Sequence, residues 1–395
     1  MERSSDDTTG TRRWLAVGTS NASDPHAAGS AAAADALRGS DPRLLLVFCS
    51  TRYDPAAVLA GIRATAPDVP LAGCSACAQI GTSGPDGGSV VVVAFGGPGF
   101  QVSTATSTGA GTTPREAGAA VADCTAAVQD SPYVTLLLLT DGTAPDQEDI
   151  LRGAYDVVGA SIPLVGGAAS ADASRRTFHL HGDEVLTDAV VGVAIGSDAP
   201  FGVGVRHGWR KVGEPMIVTS STKGLVYTLD DKPALEMYLD RLGAPDGLRE
   251  DPVAFDKYSH TRPIGVRRRT GEEVRNVSST AYLADGWLGC SGDIPEGGVI
   301  WPMEGDTDSV LEAAEDACRD AVDALDGHPP VGLLAFDCVS RTGLLGTDGT
   351  RTEVDRMREQ VGALPLAGFY TWGEIARTRG INGYHHQTLV VLAVG

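Results

Sequence analysis

The chain has 395 residues and a formal net charge of −20, with 42% apolar and 21% charged residues. That length predicts two domains with ample material for a core, and the acidic balance argues against nucleic acid and anionic membrane surfaces as partners. No apolar run reaches the roughly 18 residues a membrane-spanning helix needs. Met1 to Arg13 is polar and charged without an apolar signal core and predicts a disordered tail. Seven cysteines (49, 74, 77, 124, 290, 318, 338), an odd number without a secretory signal, read as free thiols in a reducing cytoplasm.

In chain order, an Ala-rich helical stretch, Ala27 to Arg38, precedes the buried-strand run Leu44 to Phe48. Asp54 and Pro55 then form an N-cap and first-turn signal for a helix with Val58, Leu59 and Ile62 on one face. Pro70-Leu71-Ala72-Gly73 follows, and the apolar run Val90 to Phe95 closes the set. The order recurs: helical Pro114 to Val128, the run Val134 to Leu139, then Pro145-Asp146-Gln147-Glu148-Asp149, which loads acid onto a helix's first turn as the dipole favours. Pro163-Leu164-Val165-Gly166 and the run Ala189 to Ile195 complete the second copy.

Gly202 to Met303 interrupts the pattern. Met216 to Ser220 and Leu225 to Leu229 read as a hairpin, Lys232 to Leu242 as a helix, and Val274 to Ser278 and Trp287 to Cys290 as strands. The third copy then runs from helical Ser309 to Leu325 through Val331 to Phe336, a helix marked by Val354, Met357 and Val361, Pro365-Leu366-Ala367-Gly368, and Leu389 to Val394. Between first strand and proline each copy leaves roughly 20–28 residues, room for one crossover helix. The expected fold class is α/β: three related α-β-α-β-β units, each with a right-handed parallel crossover and a closing antiparallel strand, giving mixed sheets faced by helices. Two packed halves are expected, 14–199 and 200–395, meeting near Ala199-Pro200 without a flexible linker.

Several phrases resemble the FIST domain family. Pro70-Leu71-Ala72-Gly73-Cys74-Ser75 is similar to the signature of FIST N domains. The second half resembles FIST C domains at Gly208-Trp209-Arg210, Val212-Gly213-Glu214-Pro215, Gly292-Asp293-Ile294-Pro295-Glu296-Gly297, Phe336-Asp337-Cys338-Val339-Ser340-Arg341, Gly368-Phe369-Tyr370-Thr371-Trp372-Gly373-Glu374-Ile375 and His385-His386-Gln387-Thr388. The family pattern carries Asn where this chain has His386. The resemblance implies a cytoplasmic sensory module, FIST N over 14–199 and FIST C over 200–395, that binds a small amino-acid-like ligand and signals through a separate partner protein. No cofactor is expected. Some are described as haem-binding nitric oxide sensors, so haem is the alternative, and a cysteine-dependent enzyme is the rival from another class.

The residues singled out as the ligand site are Glu374, Tyr370, Trp372, Gly373, Arg341, Asp337, Cys74 and Ser75. Glu374 follows the third Pro-Leu turn among Phe369, Tyr370 and Trp372, and aromatic walls plus one carboxylate suit an ammonium group. Equally, Glu374 reads as a buried carboxylate holding backbone amides or pairing with Arg341. Arg341 lies just past a strand end, where open α/β sheets bind ligands; it either clamps a carboxylate or pairs with Asp337 or Glu374. Asp141 and Ser50 hold the matching strand ends in the other copies. Cys74-Ser75-Ala76-Cys77 has redox-motif spacing but no second pair for a metal, and reads as small residues near a pocket. His179, His181, His385 and His386 are the histidines that bear on haem, which needs one axial ligand and an apolar pocket. No Gly-x-Ser-x-Gly elbow, phosphate-cradling loop or His-Glu-x-x-His is present.

Overall fold

The computed structural model describes residues 12–81, 84–268, 271–278, 280–377 and 383–395. Residues 1–11 of the polar amino-terminal segment, and Arg269 of the Arg267-Arg268-Arg269 cluster, lie outside them. The helices are α1 (Pro25–Ala36), α2 (Pro55–Thr65), α3 (Pro114–Ala122), α4 (Gln147–Val158), α5 (Ala234–Arg241), α6 (Pro252–His260), α7 (Thr307–Asp323) and α8 (Thr342–Val361). Their starts follow local chemistry: Asp24 accepts from the Ala27 amide at 2.7 Å and Asp54 from the Ala56 amide at 3.0 Å, each ahead of a proline that needs no amide partner.

Three units share one strand order. In the first, the end strand Trp14–Ser20 pairs with the closing strand Val90–Gly96, which pairs with Pro42–Ser50, which runs parallel to Leu71–Ala76. The second unit repeats this with Phe100–Thr108, Ala189–Ser197, Tyr133–Asp141 and Leu164–Ala169. The third uses Phe201–Arg206, Leu389–Val394, Gly332–Cys338 and Leu366–Thr371. The α-β-α-β-β expectation therefore describes the middle of each unit, and each also opens on a strand. Those strands escaped the pattern because they sit at sheet edges and interleave Gly, Ser and Thr with their apolar residues.

The Pro-Leu phrase has a physical reason. Each proline immediately precedes the third strand, where a missing amide costs no ladder bond, and its carbonyl accepts from the neighbouring strand: Leu45 to Pro70 at 2.8 Å, Leu136 to Pro163 at 3.0 Å, Leu333 to Pro365 at 2.9 Å. The following glycine lies against that strand's backbone. A Cβ there would sit 2.3 Å from the Val47 carbonyl oxygen at Gly73, 2.0 Å from that of Leu138 at Gly166 and 1.7 Å from that of Ala335 at Gly368.

Each unit also hands a hairpin to a neighbour. The first unit's hairpin extends the third sheet (Phe369↔Gln79), the second's extends the first sheet (His179↔Cys74), and the third's extends the second (Glu374↔Gly167). This cyclic exchange ties the segments before and after Pro200 into one body. The inner faces of all three sheets meet in a common apolar core that includes Phe48, Phe95, Leu137, Val193, Phe336 and Phe369. Helix pairs cover the outer faces, so both sides of the central strands are buried and their sequences read as continuous apolar runs.

A fourth sheet, built around Met216–Thr222, Leu225–Leu229, Ile264–Arg268 and Val299–Glu304, carries α5 and α6 and its own core of Val218, Tyr238, Phe255, Ile264 and Ile300. It is inserted in the third unit between Phe201–Arg206 and α7. The interruption thus begins after Arg206, not at Gly202, because Phe201–Arg206 pairs with the closing strand. No helix among the described residues is long and apolar enough to cross a membrane.

Candidate ligand cleft

Glu374 opens the third unit's exchanged hairpin and is fully buried. It accepts from the Thr371 hydroxyl at 2.5 Å and from the Thr388 amide at 3.2 Å. Burial pushes its carboxyl up to about 8, against the pull of those donors. Arg341 makes no ion pair with it. Arg341 pairs instead with Asp337, Nε to Oδ1 at 3.0 Å, and with Glu353, and donates to the carbonyls of His207 at 3.1 Å and Val310 at 3.2 Å. Burial works against its charge, but Glu353 and Asp337 outweigh it and hold the guanidinium protonated. Burial, with Glu353 alongside, drives the Asp337 carboxyl well above its ordinary range.

Tyr370 is fully buried, with no hydrogen-bond partner for its hydroxyl among the described residues. Cys74 lies in the common core, and the Ser75 hydroxyl accepts from the Phe178 amide at 3.1 Å. Gly373 donates to the Thr371 hydroxyl at 3.3 Å and accepts from the Ala168 amide at 2.8 Å. The structure brings Asp337, Arg341, Tyr370, Gly373 and Glu374 together in the third unit, and sets Cys74 and Ser75 in the first unit's sheet. Of the eight, Trp372 is the one that lines a cleft.

That cleft, of about 180 Å³, lies between Gly142–Glu148 at the amino end of α4, the insertion's Ser291–Asp293 loop, and Trp372, Tyr384 and His386. It sits just beyond the carboxyl end of the strand Tyr133–Asp141, the place where open α/β sheets take ligands. Asp146, Glu148 and Asp293 supply its carboxylates. Each is matched by a cation: Asp146 by Lys223 at 3.4 Å, Glu148 by Arg275 at 2.9 Å, and Asp293 by Arg152 at 3.6 Å. Arg275 is fully buried and also donates to the Tyr384 carbonyl at 3.0 Å and to Glu273 at 3.1 Å. The Asp293 amide donates to Glu148 at 3.2 Å. Burial raises the Glu148 carboxyl more than Arg275 lowers it. His386 is buried with its Nε2 unpartnered among the described residues, and burial next to Arg275 keeps its ring neutral. The Arg175 guanidinium stacks over Trp372 at 5.2 Å.

Sequence reasoning missed Asp146, Glu148, Arg275, Asp293, Tyr384 and His386 as one cluster. The acidic first turn of α4 and the Gly292-Asp293 phrase were its visible fragments. Two larger grooves, of about 500 and 580 Å³, lie elsewhere and lack convergent carboxylate and aromatic groups.

Neither His386 nor His179 sits in a cavity suited to haem. His386 lines a polar cleft smaller than the roughly 300 Å³ lower bound for organic ligand pockets. His179 is sealed in the core, where burial lowers it to about 4. Among the described residues, no group of three or more His, Cys, Asp or Glu is placed to hold a metal ion.

The FIST N domain model matches residues 43–232 and the FIST C domain model residues 234–377. An uncharacterized protein of Mycobacterium tuberculosis, Rv0628c, is 28% identical over 235 residues, 57% of this chain and 59% of that protein. Mb0898c, an uncharacterized protein of Mycobacterium bovis, is 29% identical over 275 residues, 64% of this chain and 65% of its own length. The chain thus spans about three fifths of the first of these relatives, 59%. A solved structure described as "Cyanuric acid hydrolase: evolutionary innovation by structural concatenation" is 11% identical, covering 97% of this chain and 100% of that one, at a TM-score of 0.32, too low to carry a fold assignment.

Proposed function

Because the chain belongs to the FIST family, recognised as sensory, we propose that it is a sensory module that binds a small amino-acid-like ligand in the cleft between α4 and the third unit's hairpin. The observation that carries this reading is the pairing of aromatic walls with a cluster of carboxylates. Trp372, Tyr384 and His386 face Asp146, Glu148 and Asp293, whose charges Lys223, Arg275 and Arg152 offset. Carboxylates beside aromatic rings suit the ammonium group of such a ligand.

In this reading Trp372 touches the ligand. Glu374, Tyr370 and Gly373 hold the hairpin that presents it, and Asp337 with Arg341 braces the strand behind. Cys74 and Ser75 anchor the neighbouring hairpin. The Ser291–Asp293 loop is already bonded to α4 through the Asp293 amide and Glu148, and a separate partner would read the occupied cleft beside it. The seven unpaired cysteines support a reducing cytoplasm as its location.

The test is thermal stabilisation by a panel of proteinogenic amino acids, together with native mass spectrometry of small molecules retained on purification. At least one amino acid should raise the melting temperature of the wild type and not that of Trp372→Ala or Asp293→Ala. A panel without effect and a protein that retains nothing would end the proposal.

A further inference from the structure

The strand Trp14–Ser20 is the end strand of the first sheet. It pairs with Val90–Gly96 without a break, from Trp14↔Gly96 to Ser20↔Val90. On its other side Trp14 to Val17 line a groove of about 500 Å³ whose far wall is Gly362–Leu366 of the third unit. Outside its ladder, no backbone hydrogen bond from Trp14 to Val17 is made to the described residues. Proteins usually blunt such an edge with lysine, proline, a bulge or a covering element, because open amides and carbonyls template strand addition. This edge, Trp-Leu-Ala-Val-Gly-Thr-Ser, carries no lysine, no proline and no bulge.

Charge narrows what the groove accepts. Arg38 and Arg358 line it, and no carboxylate among the described residues does. Arg38 is exposed and engages only its helix neighbour Asp35. Arg358 donates to the Gly81 carbonyl, and its nearest carboxylate is Asp355 at 3.8 Å, so its charge lacks a close ion-pair partner. A second copy entering by the same edge would bring like guanidiniums together, which disfavours self-pairing.

We propose that this edge is a docking site for an extended segment of a partner protein, which adds a strand beside Trp14–Val17 and sets an acidic side chain between Arg38 and Arg358. Main-chain bonds would supply affinity and the arginines selectivity, the general pattern of strand addition.

The probe is an N-acetylated eight-residue peptide of alternating valine and threonine with a central glutamate, titrated calorimetrically into the full chain beside its lysine counterpart. The glutamate peptide should bind at least about five-fold more tightly. N-methylation of alternate amides should abolish binding. The double variant Arg38→Glu, Arg358→Glu, checked for an unchanged circular dichroism spectrum, should reverse the preference. The proposal is overturned if neither peptide binds, if the two bind alike, if the N-methylated peptide binds as well as its parent, or if the preference survives charge reversal. It is equally overturned if a dimer blocks the edge, or if peptide binds only after deletion of residues 1–11; these outcomes would assign the groove to a second copy or to the chain's own amino terminus.

Discussion

Arg275 of the insertion meets Glu148 of α4 at 2.9 Å, across 127 positions of sequence, with both side chains buried. The same guanidinium reaches the Tyr384 carbonyl in the third unit's hairpin at 3.0 Å. One side chain therefore joins the three parts that form the cleft. A ligand bound there, as proposed, would touch groups whose positions are already mutually fixed, the preorganisation that lowers the ordering cost of binding.

Arg275→Met should destabilise the fold by about 1–3 kcal/mol, because Glu148 and Glu273 lose their shared buried cation and keep as cations only Arg152 at 3.3 Å and Arg268 at 2.6 Å. The exposed Lys223–Asp146 pair offers the contrast: Lys223→Met should cost within about 1 kcal/mol. Urea unfolding of both variants checks this. A cost below about 1 kcal/mol for Arg275→Met, the range of an exposed pair, would show that the buried pair does not hold the insertion in place.

Glu374 should give the folded state a characteristic pH dependence. Its carboxyl titrates near 8 when folded, against an ordinary value of 4.5. Between those values the folded protein keeps a proton that the unfolded chain has lost. Its stabilising contribution is therefore complete below 4.5 and is lost as pH rises through 8, at up to about 1.4 kcal/mol per pH unit. Glu374→Gln, which mimics the protonated acid, should flatten that slope and leave the protein at least as stable as wild type at about pH 8. Equal slopes for the two proteins between about pH 5 and 8 would refute the assignment.

The three-fold repeat was legible because strands buried on both faces write runs such as Leu44 to Phe48, and because Gly73, Gly166 and Gly368 answer the same steric demand. The exchange of hairpins was not legible. Gln79–Gly81 and His179–His181 are three-residue strands, and nothing local in them states which sheet they extend. The cleft was half visible. Trp372 stood out beside the third Pro-Leu turn, but Glu148 read only as an acid suited to a helix start. Its second role depends on Arg275 and Asp293, 127 and 145 positions away. Arg341 was placed correctly at a strand end, yet its partners Glu353, His207 and Val310 come from three other segments, and they spend its donors on structure.

The cysteines should be slow toward mild alkylation at neutral pH. Burial pushes Cys49, Cys290 and Cys318 up to about 12 and Cys124 to about 11, and Cys74 and Cys338 well above the ordinary thiol range. Cys77 is half-buried and less shifted, so iodoacetamide followed by peptide mass spectrometry should label it first. Since the thiolate is the reactive form, rapid labelling of Cys74 or Cys338 in the native protein would instead favour a cysteine-dependent enzyme.

Glycine in the strand that follows each Pro-Leu phrase should prove irreplaceable for a steric reason. At Gly368 an added Cβ would meet the Ala335 carbonyl oxygen at 1.7 Å, a fixed backbone atom of the parallel neighbour. The two strands would have to separate, and overpacking of that kind costs about 1–3 kcal/mol or more. Gly182 is the control: it sits in a hairpin turn at φ 58°, and an added Cβ would meet nothing within 4 Å among the described residues. There Gly182→Ala should cost about 1–2 kcal/mol from left-handed backbone strain alone. Denaturant unfolding of Gly368→Ala, Gly73→Ala and Gly182→Ala should rank them in that order, following the approach distances of 1.7 Å, 2.3 Å and open space. A Gly368→Ala protein no less stable than Gly182→Ala would show that the repeated phrase is not held by this close approach.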